Sequence, residues 1–132
     1  QAAILRAKLP YLDEWNERRR NIARSYTEAL RPLGLELPCG FGPDYVAHLY
    51  VIRTPRRDEL RRKLALAGVG TDIHYPLPDH KQRTREQDGR GCLSLSETER
   101  CAEQVLSLPC FPQLTHEEVV YVVEAIRRAN IA

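Results

Sequence analysis

The sequence contains no methionine, a single tryptophan, two phenylalanines and only three lysines among 132 residues. A translated chain starts with methionine. Here Gln1-Ala2-Ala3-Ile4-Leu5 reads instead as the interior of a helix with no cap before it, so the expectation is a segment of a longer protein. No apolar run approaches the roughly 20 residues of a spanning helix, so no membrane partner is expected. No signal-peptide pattern opens the sequence. The four cysteines, Cys39, Cys92, Cys101 and Cys110, form neither a C-x-x-C pair nor a zinc spacing. They read as reduced, mostly semi-buried thiols, which makes a cytoplasmic setting the expectation. There is no glycine-rich phosphate loop and no G-x-S-x-G elbow.

Charge of one sign is also lacking. The net charge is +2, with 20 basic against 18 acidic residues. Arginines cluster at 18–20, 56–57, 61–62 and 127–128, yet each cluster has acids beside it. That pattern reads as solvated helix faces, and no nucleic-acid partner is expected. The length suits one domain that buries about two thirds of its unfolded surface.

What is present is periodic. Leu5, Leu9, Leu12, Trp15, Ile22, Ala23, Tyr26 and Leu30 recur at helical spacing and predict a long leading helix over 1–31, bent at Pro10. Trp15 and Tyr26 read as its core residues. Leu35-Glu36-Leu37 is a short strand candidate. Tyr45 to Arg53 is the best strand in the chain, with His48 as a core histidine within it. Thr54-Pro55 opens a helix with Leu60, Leu64 and Ala67 inward and Gly68 at its end. Val69 to His74 reads as another strand. Lys81 to Gly91 is a polar loop. Ser96 with Glu99 and Thr115 with Glu118 are capping boxes for two further helices. The first of these should bury Ala102, Val105 and Leu106, and the second Val119, Val122, Val123 and Ile126. Leu108 to Pro112 is a short extended piece between them. The fold class is therefore α+β, a small, mainly antiparallel sheet covered by helices, with the body at 35–132.

Chemistry concentrates in Thr71-Asp72-Ile73-His74-Tyr75-Pro76-Leu77-Pro78-Asp79-His80. Two imidazoles, a phenol and two carboxylates lie on a stretch stiffened by proline. Three readings stay open. It is a rigid structural loop, a ligand-binding loop, or a metal site with His74 and His80 as ligands. The last lacks a third ligand at useful spacing. The three lysines give no Schiff-base candidate. Lys63 should face solvent, Lys81 sits in a charged loop, and Lys8 lies beside the leading helix's inner stripe. The residues by themselves show no catalytic set.

Several motifs, in order, resemble one family. They are Gln1 to Leu5 continuing through Leu12-Asp13-Glu14-Trp15-Asn16-Glu17-Arg18-Arg19-Arg20 to Ala23 and Tyr26, then His48-Leu49-Tyr50-Val51-Ile52-Arg53, and Gly68-Val69-Gly70-Thr71-Asp72-Ile73-His74-Tyr75-Pro76. Leu106-Ser107-Leu108-Pro109 with Phe111-Pro112, and Leu114 to Val119 leading to Val123-Glu124-Ala125-Ile126, complete the series. Nearly the whole chain resembles the C-terminal domain of DegT/DnrJ/EryC1/StrS-type sugar aminotransferases. The resemblance implies the small domain of the aspartate-aminotransferase fold in a pyridoxal-phosphate (PLP) enzyme, usually dimeric. Such enzymes move an amino group, commonly from L-glutamate, to a nucleotide-linked keto-sugar for surface polysaccharides or deoxysugars. It also implies that the cofactor and its lysine belong to a larger N-terminal domain, and that this chain binds no cofactor alone. The substrate-binding residues it points to are His74, Tyr75 and His80. The sequence departs from the family after His80, where Lys81 to Arg90 is polar rather than aromatic and apolar. The alternative is a stand-alone α+β module that binds a small ligand or a protein. If the chain is cut from a larger protein, the apolar surface left on the leading helix predicts self-association through Leu5, Leu9 and Leu12.

Overall fold

In the computed structural model, residues 1–42, 44–82 and 94–130 are described. Most of the expected polar loop, and Cys92, lie outside them. The leading helix forms as expected, in two parts. Helix α1 (Ala2–Lys8) passes through a single 3₁₀ turn at Leu9–Tyr11, which contains Pro10, into α2 (Leu12–Leu30). The proline lacks the N–H that a continuous α-helix would use, so the chain tightens there.

Burial begins only in the second half of α2, at Ile22, Ala23, Tyr26 and Leu30. No residue of α1 is buried. Trp15 is not a core residue. It is half-buried and stacks on exposed Tyr11 with ring centroids 5.9 Å apart.

The sheet is small and antiparallel. Strand β1 (Tyr50–Arg53) pairs with β2 (Val105–Leu108), with Tyr50 opposite Leu108 and Arg53 opposite Val105. Single bridges extend it on both sides, Glu36 to Arg53 and Asp72 to Ser107. Both expected flanking strands are thus reduced to one rung each. The long strand expected over Tyr45–Arg53 starts only at Tyr50. Ala47 adopts φ +48°, outside the extended region, and turns the chain there. As a result His48 is exposed and is not a core histidine.

Helix α3 (Arg57–Leu66) starts slightly later than Thr54-Pro55 suggested. Thr54 Oγ1 still accepts from the Arg56 N–H at 3.2 Å. At the far end Gly68, at φ +74°, reverses the chain. Its N–H donates to the Ala65 carbonyl, and that of Val69 to the Leu64 carbonyl. This is the hydrogen-bond pattern of a Schellman cap.

Helix α4 (Ser96–Gln104) runs directly into β2. Val105 and Leu106 therefore belong to the strand rather than to the helix's inner face, and α4 has no fully buried residue. Helix α5 (His116–Ala129) carries the expected capping box and buries Val119, Val122, Val123 and Ile126, with Ala125 and Ala129 in addition.

The core lies between β1–β2 and helices α2, α3 and α5. Tyr26 and Tyr50 pack at its centre, ring centroids 5.1 Å apart, with Leu30, Ile52, Leu60, Leu64, Leu106 and Ile126 fully enclosed. Both phenols find partners, as buried hydroxyls must. Tyr26 donates to the Pro109 carbonyl at 3.0 Å, and Tyr50 shares a 2.7 Å bond with Thr27. Burial pushes both phenols up, Tyr50 to about 12, so they stay neutral.

The arginine clusters mostly do what the charge pattern suggested. Arg18 pairs with Glu14, Arg20 and Arg24 with Glu17, and Arg128 with Glu124 along their own helices. Among the described residues, no helix is long and apolar enough to cross a membrane.

Candidate functional site

The polar loop from Asp72 to Gln82 leaves the sheet edge beside β2. Two backbone bonds between Asp72 and Ser107 hold its start, at 2.8 and 3.2 Å. Two residues along the loop, a side-chain bond to the same serine takes over. His74 Nδ1 lies 2.9 Å from Ser107 Oγ, a side chain that is itself buried in β2. The other imidazole nitrogen is 3.8 Å from Asp72 Oδ2, too far for a hydrogen bond. Asp72 instead accepts from the Ile73 N–H through Oδ1, at 2.8 Å.

His74 is thus oriented by β2, with its ring half-exposed. Tyr75 stands edge-on to it, centroids 5.5 Å apart, and is 73% exposed. A phenol so exposed, beside a positioned imidazole, is available to a ligand rather than committed to the core. Pro76 and Pro78 limit the backbone freedom of the segment that follows.

Between this loop and α4 is a cleft of about 310 Å³, at the lower end of small-molecule sites. His74, Tyr75, Leu77, Asp79 and Gln82 line one side, and Thr98, Cys101 and Ala102 the other. The lining offers an imidazole, a phenol, a carboxylate, an amide, a hydroxyl and a thiol around an apolar floor. Such a set gives directional hydrogen bonds to a hydroxyl-rich molecule and supplies no strong nucleophile–base pair.

His80, the third expected site residue, is placed differently. It is 7% exposed and does not line the cleft. Its Nε2 lies 3.1 Å from Glu99 Oε1 on α4. Lys81 reaches the other oxygen of that carboxylate at 2.7 Å, and the Leu95 N–H also donates to Oε1 at 3.3 Å. The Lys81 ammonium and then the His80 imidazole hold the Glu99 carboxyl well below its ordinary range, at about 2. An ionised carboxylate only accepts, so the His80 Nε2 carries the proton.

Glu99 was expected to cap α4 together with Ser96. In the structure Leu95, not Ser96, occupies the cap position and its own side chain makes no cap bond, while Glu99 accepts from the Leu95 N–H and also reaches the loop. Glu99, Ser107 and Thr98 were not legible as site residues. Only an S-x-x-E pattern marked Glu99, and it pointed to another role.

The lysines bear on whether the chain could hold an aldehyde cofactor. Lys8 is exposed on α1. Lys63 does not face solvent freely. It donates to the Ala129 carbonyl at the end of α5 at 2.7 Å and pairs with Glu59 at 2.8 Å. Lys81 is engaged by Glu99. None is a desolvated amine at a cleft, so these residues do not fit a Schiff-base anchor.

No group of three or more histidine, cysteine or acidic side chains able to hold a metal occurs among the described residues. Cys39, Cys101 and Cys110 are unpaired. Cys39 is exposed rather than semi-buried, whereas burial pushes the Cys110 thiol up to about 11, so it stays protonated.

The profile of the DegT/DnrJ/EryC1/StrS aminotransferase family matches residues 1–127. The chain belongs to this family. It is 44% identical over 130 residues to a "pleiotropic regulatory protein" of Geobacillus stearothermophilus, a match covering 96% of this chain and 35% of that one. It is 42% identical over 129 residues to the dTDP-3-amino-3,4,6-trideoxy-alpha-D-glucose transaminase of Streptomyces venezuelae, covering 96% of this chain and 34% of that enzyme. Among solved structures, S. venezuelae DesV in complex with a ketimine intermediate superposes with a TM-score of 0.91 at 41% identity. That superposition covers all of this family member but 36% of DesV. The chain therefore spans about a third of the length of the relatives it matches.

Proposed function

We propose that this chain is the C-terminal small domain of a PLP-dependent sugar aminotransferase, with residues 1–31 as its leading helix and 35–132 as its body. The parent would transfer an amino group from L-glutamate to a nucleotide-linked keto-sugar, for surface polysaccharide or deoxysugar synthesis. The observation that carries this reading is the pairing of the family match with a hydroxyl-seeking cleft that has no reactive amine beside it. The division of labour is physically sensible. PLP would supply the electron sink in the parent, and the protein's own tasks are binding, orientation and exclusion of water. Because the lysines here do not fit, no chemical step is assigned to this chain.

In this proposal His74 and Tyr75 meet the sugar nucleotide, and His80 contributes from behind the cleft wall. The partner is a larger PLP-bearing domain. Ile4 and Leu5 on α1 and Leu9 in the turn after it are each more than half exposed, and they give that domain an apolar surface to cover. In isolation the same face, with Leu12, would draw copies of the chain together, and the parent would be a homo-oligomer. A stand-alone binding module would use the same loop without needing the partner domain.

The test is an NMR titration of the chain with dTDP-glucose at millimolar concentration. The proposal expects shifts concentrated at His74 and Tyr75. An absence of shifts, or shifts confined to the α2–α5 face, would contradict it.

A further inference from the structure

The cleft has two walls that belong to different elements, and something must set the distance between them. One wall is the loop from His74 to Gln82. The other is α4. At the start of the loop, the bond from His74 to Ser107 ties it to β2. At its end, one carboxylate on α4 receives His80 and Lys81 from the loop, and the Leu95 N–H from the helix start. Glu99 sits next to Thr98 and one helical turn from Ala102, both of which line the cleft.

We propose that Glu99 is a positioning residue, which through His80 and Lys81 fastens the loop to α4 and fixes the placement of His74 and Tyr75. This rests on the proposed substrate-facing role of that loop. An exposed ion pair alone would carry little weight, since such pairs contribute almost nothing measurable. Here one donor is different in kind. The His80 side chain is only 8% exposed and that of Glu99 26%, so removing the carboxylate leaves a buried imidazole N–H without its acceptor. Letting His80 swing out to water relieves that loss. The loop moves with it, and the cleft opens at that end. Lys81, 45% exposed, can be solvated in place, so its loss weakens the fastening without breaking it.

The experiment uses the 132-residue chain with labelled histidine and tyrosine rings. The variants are Glu99→Ala, Glu99→Gln and Lys81→Ala. Without ligand, Glu99→Ala should move the His80 Nε2 and Tyr75 ring signals while those of Tyr26 and Tyr50 in the core stay put. Glu99→Gln keeps one acceptor oxygen for His80 and should restore the Tyr75 signal most of the way. Lys81→Ala should give a smaller displacement of the same sign. With dTDP-glucose as the probe, the apparent Kd should rise about tenfold for Glu99→Ala and severalfold for Lys81→Ala.

Tyr75 signals that stay unmoved in both Glu99→Ala and Lys81→Ala would overturn the proposal. If Glu99→Ala also loses the Tyr26 and Tyr50 signals, it has unfolded. The Lys81→Ala spectrum then decides, with an unmoved Tyr75 counting against the fastening. If the unsubstituted chain shows no dTDP-glucose shifts while Tyr75 still responds to the substitutions, the fastening stands and the sugar-nucleotide reading falls.

Discussion

Helices α4 and α5 open on the same sequence pattern, a small hydroxyl residue followed three places later by glutamate, and they use it differently. At α5, Thr115 Oγ1 accepts from the Glu118 N–H at 3.2 Å and Glu118 returns a bond from the Thr115 N–H at 2.8 Å. The box closes on itself, and six residues behind it are buried in the core. At α4 the glutamate still accepts from the Leu95 N–H at the helix start, at 3.3 Å, but it is shared with His80 and Lys81 of a loop distant in sequence, and no side chain returns the bond at the cap position. The first start is local and serves stability. The second keeps only half of its local box and holds a cleft as well. The difference teaches that a carboxylate's role is set by which donors the fold brings to it, and those donors are absent from the motif.

Four substitutions or titrations press on this contrast, and the core side should respond most. Ile126→Ala on α5 removes a fully buried side chain and should cost about 2–5 kcal/mol, read by urea denaturation. Thr115→Ala breaks a working capping box and should cost about 1 kcal/mol by the same measurement.

Acid should act on the α4 side without unfolding the core first. The folded Glu99 sits at about 2, below its ordinary 4.5, so its contribution is fully present above about 4.5 and fades as pH falls toward 2. The Tyr75 ring signal should therefore drift over that window, ahead of Tyr26 and Tyr50. Glu59, held at about 2 by Arg56 and Lys63, titrates alongside, and its partner Lys63 ties α3 to the end of α5, so the ring signals are the cleaner readout. Smallest of all, Ser96→Ala should change stability by less than about 0.5 kcal/mol, because Ser96 is exposed and caps nothing. A cost near that of Thr115→Ala would erase the distinction between the two helix starts.

Legibility followed the range of the interactions. The α5 stripe, the proline break before Leu12 and the left-handed Gly68 follow from periodicity and backbone chemistry, and all are where the sequence put them. The strand over Tyr45–Arg53 was overextended because nothing in an apolar, β-branched run announces the turn at Ala47. Val105 and Leu106 fit a helical stripe and a strand equally well, so the direct passage from α4 into β2 was hidden.

In the cleft, composition alone marked His74 and Tyr75 as chemically rich. It could not reveal that Ser107, 33 residues on, orients one of them. Nor could it reveal that His80 is turned inward to Glu99, 19 residues away. Lys63 was misread for the same reason. Its partner is a carbonyl at the far end of another helix.

The most direct test of the central claim is to incubate the chain with PLP, reduce with borohydride and map the labelled lysines by mass spectrometry. The account predicts no stoichiometric attachment at any one of Lys8, Lys63 and Lys81. Stoichiometric labelling of a single one of them would mean that the chain carries its own cofactor anchor, and would contradict the assignment of that anchor to another domain.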